Sequence, residues 1–490
     1  MTQAQPLYQT DDLMAAVRSG RRAEAQAILE YLAGLSEPQN KLQLAAIAIG
    51  IAELTLALML LEQFRQRKQM TLNELLQCAG LYAEAGQPEL AVQLVQPQAD
   101  QGLPYPGIYH LLGTVKAQTG RIQDAISDLK KALSLSPQSG ISWLTLASLV
   151  NFAKDEQAFR RLSTAYQQHL QPEQPEARHF YYAMAKAWDD RGDYQQAWQC
   201  YQQGAALAAV QSRYQQAEHQ QFVQQLMADS QWPQPKRQHR VVAEKPPVAI
   251  LGVPRSGTTL LGQMLGCHSA LNAAAEHPSL AVSCMHLSRT QISQFNQYLA
   301  AHGAPDAALE HMAELYLRLA GERTPGQGAM VDKALNLTQY FDIWATLFPQ
   351  GKAIYIRRDE AETAWSCYKT NFRQQADWSW RADDIASYLR LERQLMQHWL
   401  ALYPERILTV DYADLLNAPE TTLRRICQHL QLPFEPAMLS FYQNRAPVQT
   451  ASVGQVHQPL FTPPAPAAER YPEFFRQWQA AWHMGQGPGA

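Results

Sequence analysis

The sequence predicts two fold classes in one chain of 490 residues: an all-α repeat solenoid over residues 1–229 and an α/β domain with a central parallel sheet over residues 247–490. Turn residues recur at a nearly constant spacing in the first part, and short apolar runs alternate with helical patterns in the second. Residues 230–246 are polar, carry prolines and lack periodicity, which is typical of an interdomain linker.

The repeats are clearest at residues 108–137 and 179–207, which both read as helix, short turn, helix. The successive spacings are 30, 36, 34, 34 and 38 when the units are aligned on Gly20, Gly50, Gly86, Gly120, Lys154 and Gly192. A period near 34 indicates tetratricopeptide repeats. An irregular helical bundle is the alternative, because the first two units match the pattern poorly.

Four short apolar runs in the second part predict the strands of the sheet: residues 248–253, 329–334, 353–358 and 407–412. Their alternation with helical patterns favours parallel strands covered by helices.

Composition and targeting signals point to a soluble, cytoplasmic protein. The formal charge of -3 offers no basic field for nucleic acid, and the six cysteines are scattered singly, as reduced structural thiols would be. The most apolar stretch, residues 42–64, is interrupted by Gln43 and Glu53, so we expect no membrane span.

A phosphate-type loop follows the first predicted strand, where residues 252–259 read Gly-Val-Pro-Arg-Ser-Gly-Thr-Thr before an amphipathic helix. Gly252 and Gly257 permit a tight turn that directs backbone N–H groups at one anion, and the hydroxyls of the loop add donors. Thr258 occupies the position of the Walker lysine, and no metal-binding aspartate is evident. Arg255 can supply a forked cation instead, so we expect no metal. A glycine-rich turn without a ligand is the alternative.

A second anion site is predicted where a strand ends at Arg358, because Ser366 lies two turns along the next helix. Both side chains could reach one further phosphate. A surface ion pair of Arg358 with Asp359 or Glu362 is the alternative.

These two segments, residues 254–261 and 357–372, together with residues 411–416 and 450–460, resemble the sulfotransferase superfamily that uses 3′-phosphoadenosine 5′-phosphosulfate (PAPS). The resemblance covers roughly residues 247–445. The chain is similar in particular to bacterial sulfotransferases fused to tetratricopeptide repeats, which resemble protein-tyrosine sulfotransferases in turn. This resemblance implies PAPS as donor and adenosine 3′,5′-bisphosphate (PAP) as product.

The resemblance also implies roles for individual residues. The 5′-phosphosulfate would be held by Arg255, Ser256, Gly257, Thr258 and Thr259, and the 3′-phosphate by Arg358 and Ser366, with Tyr412 and Ser452 as weaker contacts.

The catalytic residues that the resemblance implies are Glu276 as general base, Lys333 near the transferred sulfate, and Arg255. An acceptor hydroxyl that attacks sulfur must lose its proton, and a cation offsets charge on the leaving oxygen. His277 could replace Glu276 as the base, and Lys333 could instead be a solvated lysine at a strand end.

The chain departs from the family pattern over residues 461–475, where prolines and alanines replace a basic stretch and only Arg470 and Tyr471 preserve part of it. Terminal segments often form the lid of such sites, so the acceptor choice is open.

The acceptor expected first is a protein tyrosine, because a concave repeat surface suits an extended peptide or another protein partner. The alternatives are a saccharide or small-molecule hydroxyl, a repeat scaffold with a degenerate nucleotide module, and a P-loop kinase, which would need magnesium ligands and the missing lysine.

Overall fold

The computed structural model describes residues 8–35, 40–67, 69–230, 245–273, 276, 278–284, 305–324, 326–372, 376–444, 446–448, 450, 453–460 and 466–484. We call residues 8–230 the repeat region and residues 245–484 the α/β region. None of the described helices is long and apolar enough to cross a lipid bilayer.

Consecutive helices of the repeat region pack against each other in pairs. Their starts follow local sequence: Thr71 and Glu74 form a reciprocal capping box, and Pro88 and Pro106 occupy first turns. The helices are Thr10–Arg18, Arg22–Leu35, Lys41–Gly50, Leu54–Arg65, Leu72–Glu84, Pro88–Asp100, Pro106–Gln118, Ile122–Leu135, Gly140–Ala147, Glu156–His169, Ala177–Asp190, Tyr194–Val210 and Gln216–Ser230.

The turns within the pairs require a left-handed backbone at four of the six aligned positions, since Gly20, Gly86, Gly120 and Gly192 all have φ between 71° and 82°. The alignment on Gly50 was wrong by two positions. Gly50 ends a helix, and Ala52 has the left-handed φ of 62°. With Ala52 as the turn residue, the intervals on its two sides become nearly equal, so the period is more regular than the alignment on Gly50 indicated.

The α/β region contains the four predicted strands, all parallel, in the order β2-β1-β3-β4: β1 is Val248–Leu251, β2 Val331–Asp332, β3 Lys352–Arg357 and β4 Ile407–Asp411. Val248 lies opposite both Val331 and Lys352, so β1 is an inner strand. Because the strands are parallel, the loops that follow them meet at one edge of the sheet. The loops after β1, β2, β3 and β4 begin the predicted site segments.

Helices cover both faces of this sheet and extend beyond it. They are Thr258–Leu265, Ser279–Ser283, Pro305–Arg323, Phe341–Leu347, Glu360–Tyr368, Ala382–Leu402, Tyr412–Asn417, Pro419–Leu430, Val453–Val456, Ala467–Arg470 and Pro472–Met484, with 3-10 turns at Leu337–Tyr340, Asp377–Trp380 and Pro436–Gln443.

The largest of the hydrophobic cores that the two regions share, which we call the aromatic core, combines Tyr182, Trp198 and Tyr201 of the repeat region with Trp365 and Tyr471 of the α/β region. A separate core built mainly of leucine and alanine lies within residues 13–132 of the repeat region. The repeats nearest the α/β region are therefore packed into it.

Candidate functional site

The loop after β1 adopts a backbone conformation that favours glycine at positions 252 and 257. Gly252 and Gly257 have φ of 152° and 112°, and Arg255 between them is also left-handed at 70°. A Cβ atom at Gly257 would lie 2.4 Å from Cδ2 of Tyr412. The helix Thr258–Leu265 begins directly after the loop, so its free N–H groups face the edge of the sheet.

The two predicted anion segments meet at this loop. The Nε of Arg255 donates to Oγ of Ser366 at 3.1 Å, and Nη1 of Arg358 donates to the carbonyl oxygen of Arg255 at 3.0 Å. Burial lowers the pKa of the Arg255 guanidinium, and nearby Arg358 lowers it further. Two guanidinium groups held this close together favour a bound anion between them.

Arg358 forms a loose ion pair with the helix that follows it, since its Nη2 lies 3.7 Å from Oε2 of Glu362. Asp359 is not its partner: its carboxylate caps the helix by accepting from the N–H of Glu362 at 2.8 Å. The Arg358 guanidinium lies 5.1 Å from the ring centre of Tyr412. The surface ion pair considered from the sequence is thus present in part, without occupying the whole guanidinium.

A cleft of about 620 Å³ opens beside these groups. Its walls combine predicted site residues with apolar ones, namely Arg255, Gly257, Thr258, Thr259, Leu260, Arg358, Tyr412, Leu416, Phe441, Val456, Gln458, Pro459 and Leu460. Ser256 is absent from this wall, because its buried hydroxyl donates to the carbonyl oxygen of Val253 at 2.8 Å.

The lining residues 456–460 belong to a segment that carries part of the family resemblance, although Ser452 is its only residue with a predicted contact. Thr450 lies against the loop, its hydroxyl 3.4 Å from that of Thr259. Ser452 itself and His277 lie outside the described residues. The motif at 450–460 was the signal that could have identified these wall residues.

Glu276 and Lys333, 57 residues apart, form an ion pair of 2.7 Å between Oε1 and Nζ. The lysine side chain is only 4 % exposed and the glutamate 26 %. Lys333 is therefore not the solvated lysine considered from the sequence. Neither residue is among the described walls of the cleft.

A second cavity of about 430 Å³ lies at the same sheet edge, lined in part by Ser256, Thr338 and Glu392. Glu392 is buried and accepts from Nε2 of Gln339 at 3.2 Å. Burial raises the pKa of Glu392 to about 7, against the opposing effect of hydrogen bonds from Gln339, Thr338 and Tyr388.

The part of the chain that the structure describes contains no group of three histidine, cysteine or acidic side chains able to hold a metal ion. The cysteines at positions 78, 200, 267, 284, 367 and 427 form no disulfides.

Family models match a part of each region. Residues 246–436 match the model of the sulfotransferase family, and residues 106–139 match that of the tetratricopeptide repeat. An uncharacterized protein of Aquifex aeolicus (strain VF5) is 27 % identical over 398 residues, or 78 % of this chain. The chain spans about half the length of that relative, 51 %.

Two solved structures are similar at low identity. The sulfotransferase domain of the Synechococcus PCC 7002 olefin synthase is 21 % identical, with a TM-score of 0.32, over 51 % of this chain and 98 % of the domain. A sulfotransferase from Alicyclobacillus acidocaldarius is 15 % identical, with a TM-score of 0.28, over 49 % and 97 %. Likenesses this weak add nothing to the assignment, which depends on the family matches and the motifs. Residues 246–436 are therefore similar to the sulfotransferase family, and residues 106–139, which precede them, are similar to a tetratricopeptide repeat.

Proposed function

We propose that the chain transfers a sulfuryl group from PAPS to a hydroxyl acceptor, with a protein tyrosine as the first candidate. The family match supports sulfotransferase activity. The observation that carries the choice of donor is the meeting of Arg255 and Arg358 in the wall of one cleft. Buried Ser366 does not line this cleft but accepts a hydrogen bond from Arg255. The domain limits of 1–229 and 247–490, and a cytoplasmic location, belong to the same proposal.

The cleft suits a nucleotide with anionic groups at two positions. The loop at Gly257 and the helix that starts at Thr258 would hold the 5′-phosphosulfate through N–H groups, with Arg255 as the cation. Arg358 and Ser366 would hold the 3′-phosphate. Apolar wall residues such as Leu416 and Phe441 would contact the base.

The donor supplies a sulfuryl group bonded to a good leaving phosphate. During transfer the acceptor oxygen bonds to sulfur as the bond from sulfur to the phosphate oxygen breaks, and Glu276 accepts the hydroxyl proton. Lys333, which donates to the Glu276 carboxylate at 2.7 Å, orients it and offsets negative charge nearby. Arg255 stabilises the departing phosphate, and PAP is released.

The argument for a peptide acceptor comes only from the kind of repeat present, because solenoid repeats commonly bind extended peptide segments. A saccharide or small-molecule hydroxyl is the second candidate for the acceptor. A scaffold with a degenerate nucleotide module is the competing function.

Donor binding is tested by thermal unfolding of the whole chain with PAP, and separately with ATP and magnesium. PAP at about 100 times its Kd should stabilise the fold by roughly 2.7 kcal/mol. Arg358→Ala should weaken PAP binding at least about tenfold, because it removes charge-assisted hydrogen bonds. Arg357→Ala is the matched control: that neighbouring side chain is 55 % exposed and pairs with Asp411.

Stabilisation by PAP that is lost in Arg358→Ala and kept in Arg357→Ala supports the donor assignment. No shift with PAP would remove it and favour the scaffold, and a larger shift with ATP and magnesium would favour a kinase.

The base and the acceptor are tested by sulfate transfer from PAPS to tyrosine peptides and to saccharides. Glu276→Gln should lower kcat by about 10²–10⁴ with the donor Kd nearly unchanged, because only proton removal is lost. If His277→Asn shows the large loss instead, the base assignment moves to His277.

A further inference from the structure

A residue of the repeat region contacts the α/β region beside the proposed donor site. Asp189 lies near the end of the helix Ala177–Asp190, and its carboxylate accepts a hydrogen bond from the Tyr471 hydroxyl. Nη1 of Arg470 lies 3.4 Å from the same carboxylate oxygen. One acidic side chain of the repeats thus holds two consecutive residues that end one short helix and precede the next.

Direct contacts continue from these two residues to the proposed donor-binding groups. The Tyr471 ring is buried and stacks on Trp365 with centroids 4.0 Å apart, and Trp365 directly precedes Ser366. In the same short helix, the N–H of Ala467 donates to Oε1 of Glu362 at 3.0 Å.

Both contacts end at the donor-binding groups. Ser366 accepts from Arg255 at 3.1 Å, and the other carboxylate oxygen of Glu362 lies 3.7 Å from Arg358. The short helix Ala467–Arg470 and Tyr471 after it therefore touch the surroundings of both guanidinium groups.

The negative charge of Asp189 does not by itself favour an anionic ligand at the proposed donor site. Lys369, one helical turn beyond Ser366, has its pKa lowered to about 8, chiefly by burial; Asp189 counteracts this shift, whereas Arg255 and Arg470 add to it. Asp189 is thus a negative charge in a cation-rich neighbourhood. By charge alone, its removal should strengthen the binding of a phosphate there.

We infer that Asp189 is a positioning residue of the donor site, by which the repeat region holds the segment Ala467–Tyr471 against Trp365 and Glu362 and so sets the places of Ser366 and Arg358. This inference depends on the proposed function, because it presumes that PAP binds there. It assigns to the repeats a part in donor binding in addition to any part in acceptor binding.

The test is PAP titration of the full chain with Asp189→Asn, which keeps the shape and removes the charge. We expect the PAP Kd and the donor KM to rise about tenfold, as when a hydrogen bond to a charged group is lost. The kcat and the acceptor KM should stay unchanged, which a general loss of folded protein would not produce. Tyr471→Phe, which keeps the stacking on Trp365, should change the Kd in the same direction by less.

Asp190→Asn is the matched control. Asp190 lies next to Asp189 on the same helix, but it pairs with Lys186 and accepts from the N–H of Phe152 within the repeat region. It should leave the PAP Kd unchanged or slightly lower. A response of Asp189→Asn equal to that of Asp190→Asn, or tighter PAP binding, would overturn the inference alone. Absence of PAP binding to the unaltered chain would overturn both the inference and the proposed function.

Discussion

The two halves of the repeat region are attached to the α/β region by different means. In the first half, buried Glu53 accepts from Arg22 and from Arg318 of the helix Pro305–Arg323, at 2.9 Å and 3.0 Å for the two Arg318 bonds. In the second half, Tyr201 and its neighbours form a continuous hydrophobic core with Trp365, 5.5 Å away between ring centres.

The two attachments differ in what they contribute: the charge cluster fixes the geometry of the contact between the regions, and the shared core supplies stability. A buried charge cluster adds little net stability, because desolvation opposes the attraction, but it fixes geometry through directed hydrogen bonds. A shared aromatic core supplies stability in proportion to its buried area. The second half of the repeats thus shares its hydrophobic core with the α/β region.

The largest expected effect contrasts the two cores. Tyr201→Ala should destabilise the fold by about 3–5 kcal/mol and also weaken PAP binding, because it opens a cavity beside Trp365. Leu60→Ala, in the core of the first half, should cost about 2–5 kcal/mol without altering PAP binding. Urea unfolding and PAP titration of the folded variants measure both. Equal effects of the two substitutions on PAP affinity would contradict the comparison.

The next effect concerns the charge cluster of the first half. Glu53→Gln should destabilise the fold by about 3 kcal/mol at neutral pH, because two arginines lose their buried counter-charge. Burial alone would raise the pKa of Glu53, but the hydrogen bonds from Arg318 and Arg22 hold it below the ordinary 4.5.

The pH dependence of this variant has a definite sign. Ionised Glu53 stabilises the folded state above pH 4.5, and this contribution disappears as pH falls through the folded pKa. The gap between Glu53→Gln and the unaltered chain should therefore shrink in acid. Glu62→Gln, at an exposed pair with Arg65, should change stability by less than about 1 kcal/mol. A difference in stability between Glu53→Gln and the unaltered chain that does not change with pH would contradict a stabilising role for ionised Glu53.

The smallest expected effect concerns a buried carboxyl group within the α/β region itself. Because burial raises the pKa of Glu392 from 4.5 to about 7, the folded chain holds a proton there that the unfolded chain has lost, and stability falls as pH rises across that window. Glu392→Gln should be more stable than the unaltered chain at pH 8, on the order of 1–3 kcal/mol, and close to it at pH 4.5. Urea midpoints at both pH values measure this, with exposed Glu420→Gln as control. An advantage that does not grow between pH 4.5 and 8 would contradict the buried proton.

Features carried by local pattern could be predicted from the sequence. All four strands lie where apolar runs indicated them, and the parallel arrangement follows from their alternation with helices. The contact of Arg255 with Ser366 also agrees with the two segments singled out as anion sites. Each feature depends on a period or on a motif of a few residues.

Features that depend on contacts between distant segments could not be predicted. The pairing of Tyr471 with Asp189 joins residues 282 apart, and nothing in either helix pattern identifies the partner. The left-handed turn at Ala52 was missed because glycine is the usual residue there and Gly50 lay two positions away. Val456, Gln458, Pro459 and Leu460 were missed as part of the cleft wall, although they belong to the motif at 450–460, because they meet the loop after β1 only through the fold.

The stacking of Tyr471 on Trp365 also sets an order of assembly during synthesis. The ribosome delivers the repeat helices first, and they can fold before the rest emerges. Tyr471 and the helix Pro472–Met484, which complete the packing around Trp365, emerge well after it and later still than Asp189. The folded repeats are the surface on which that later segment packs, so the packing around Trp365 is completed only after Tyr471 and the helix Pro472–Met484 have emerged.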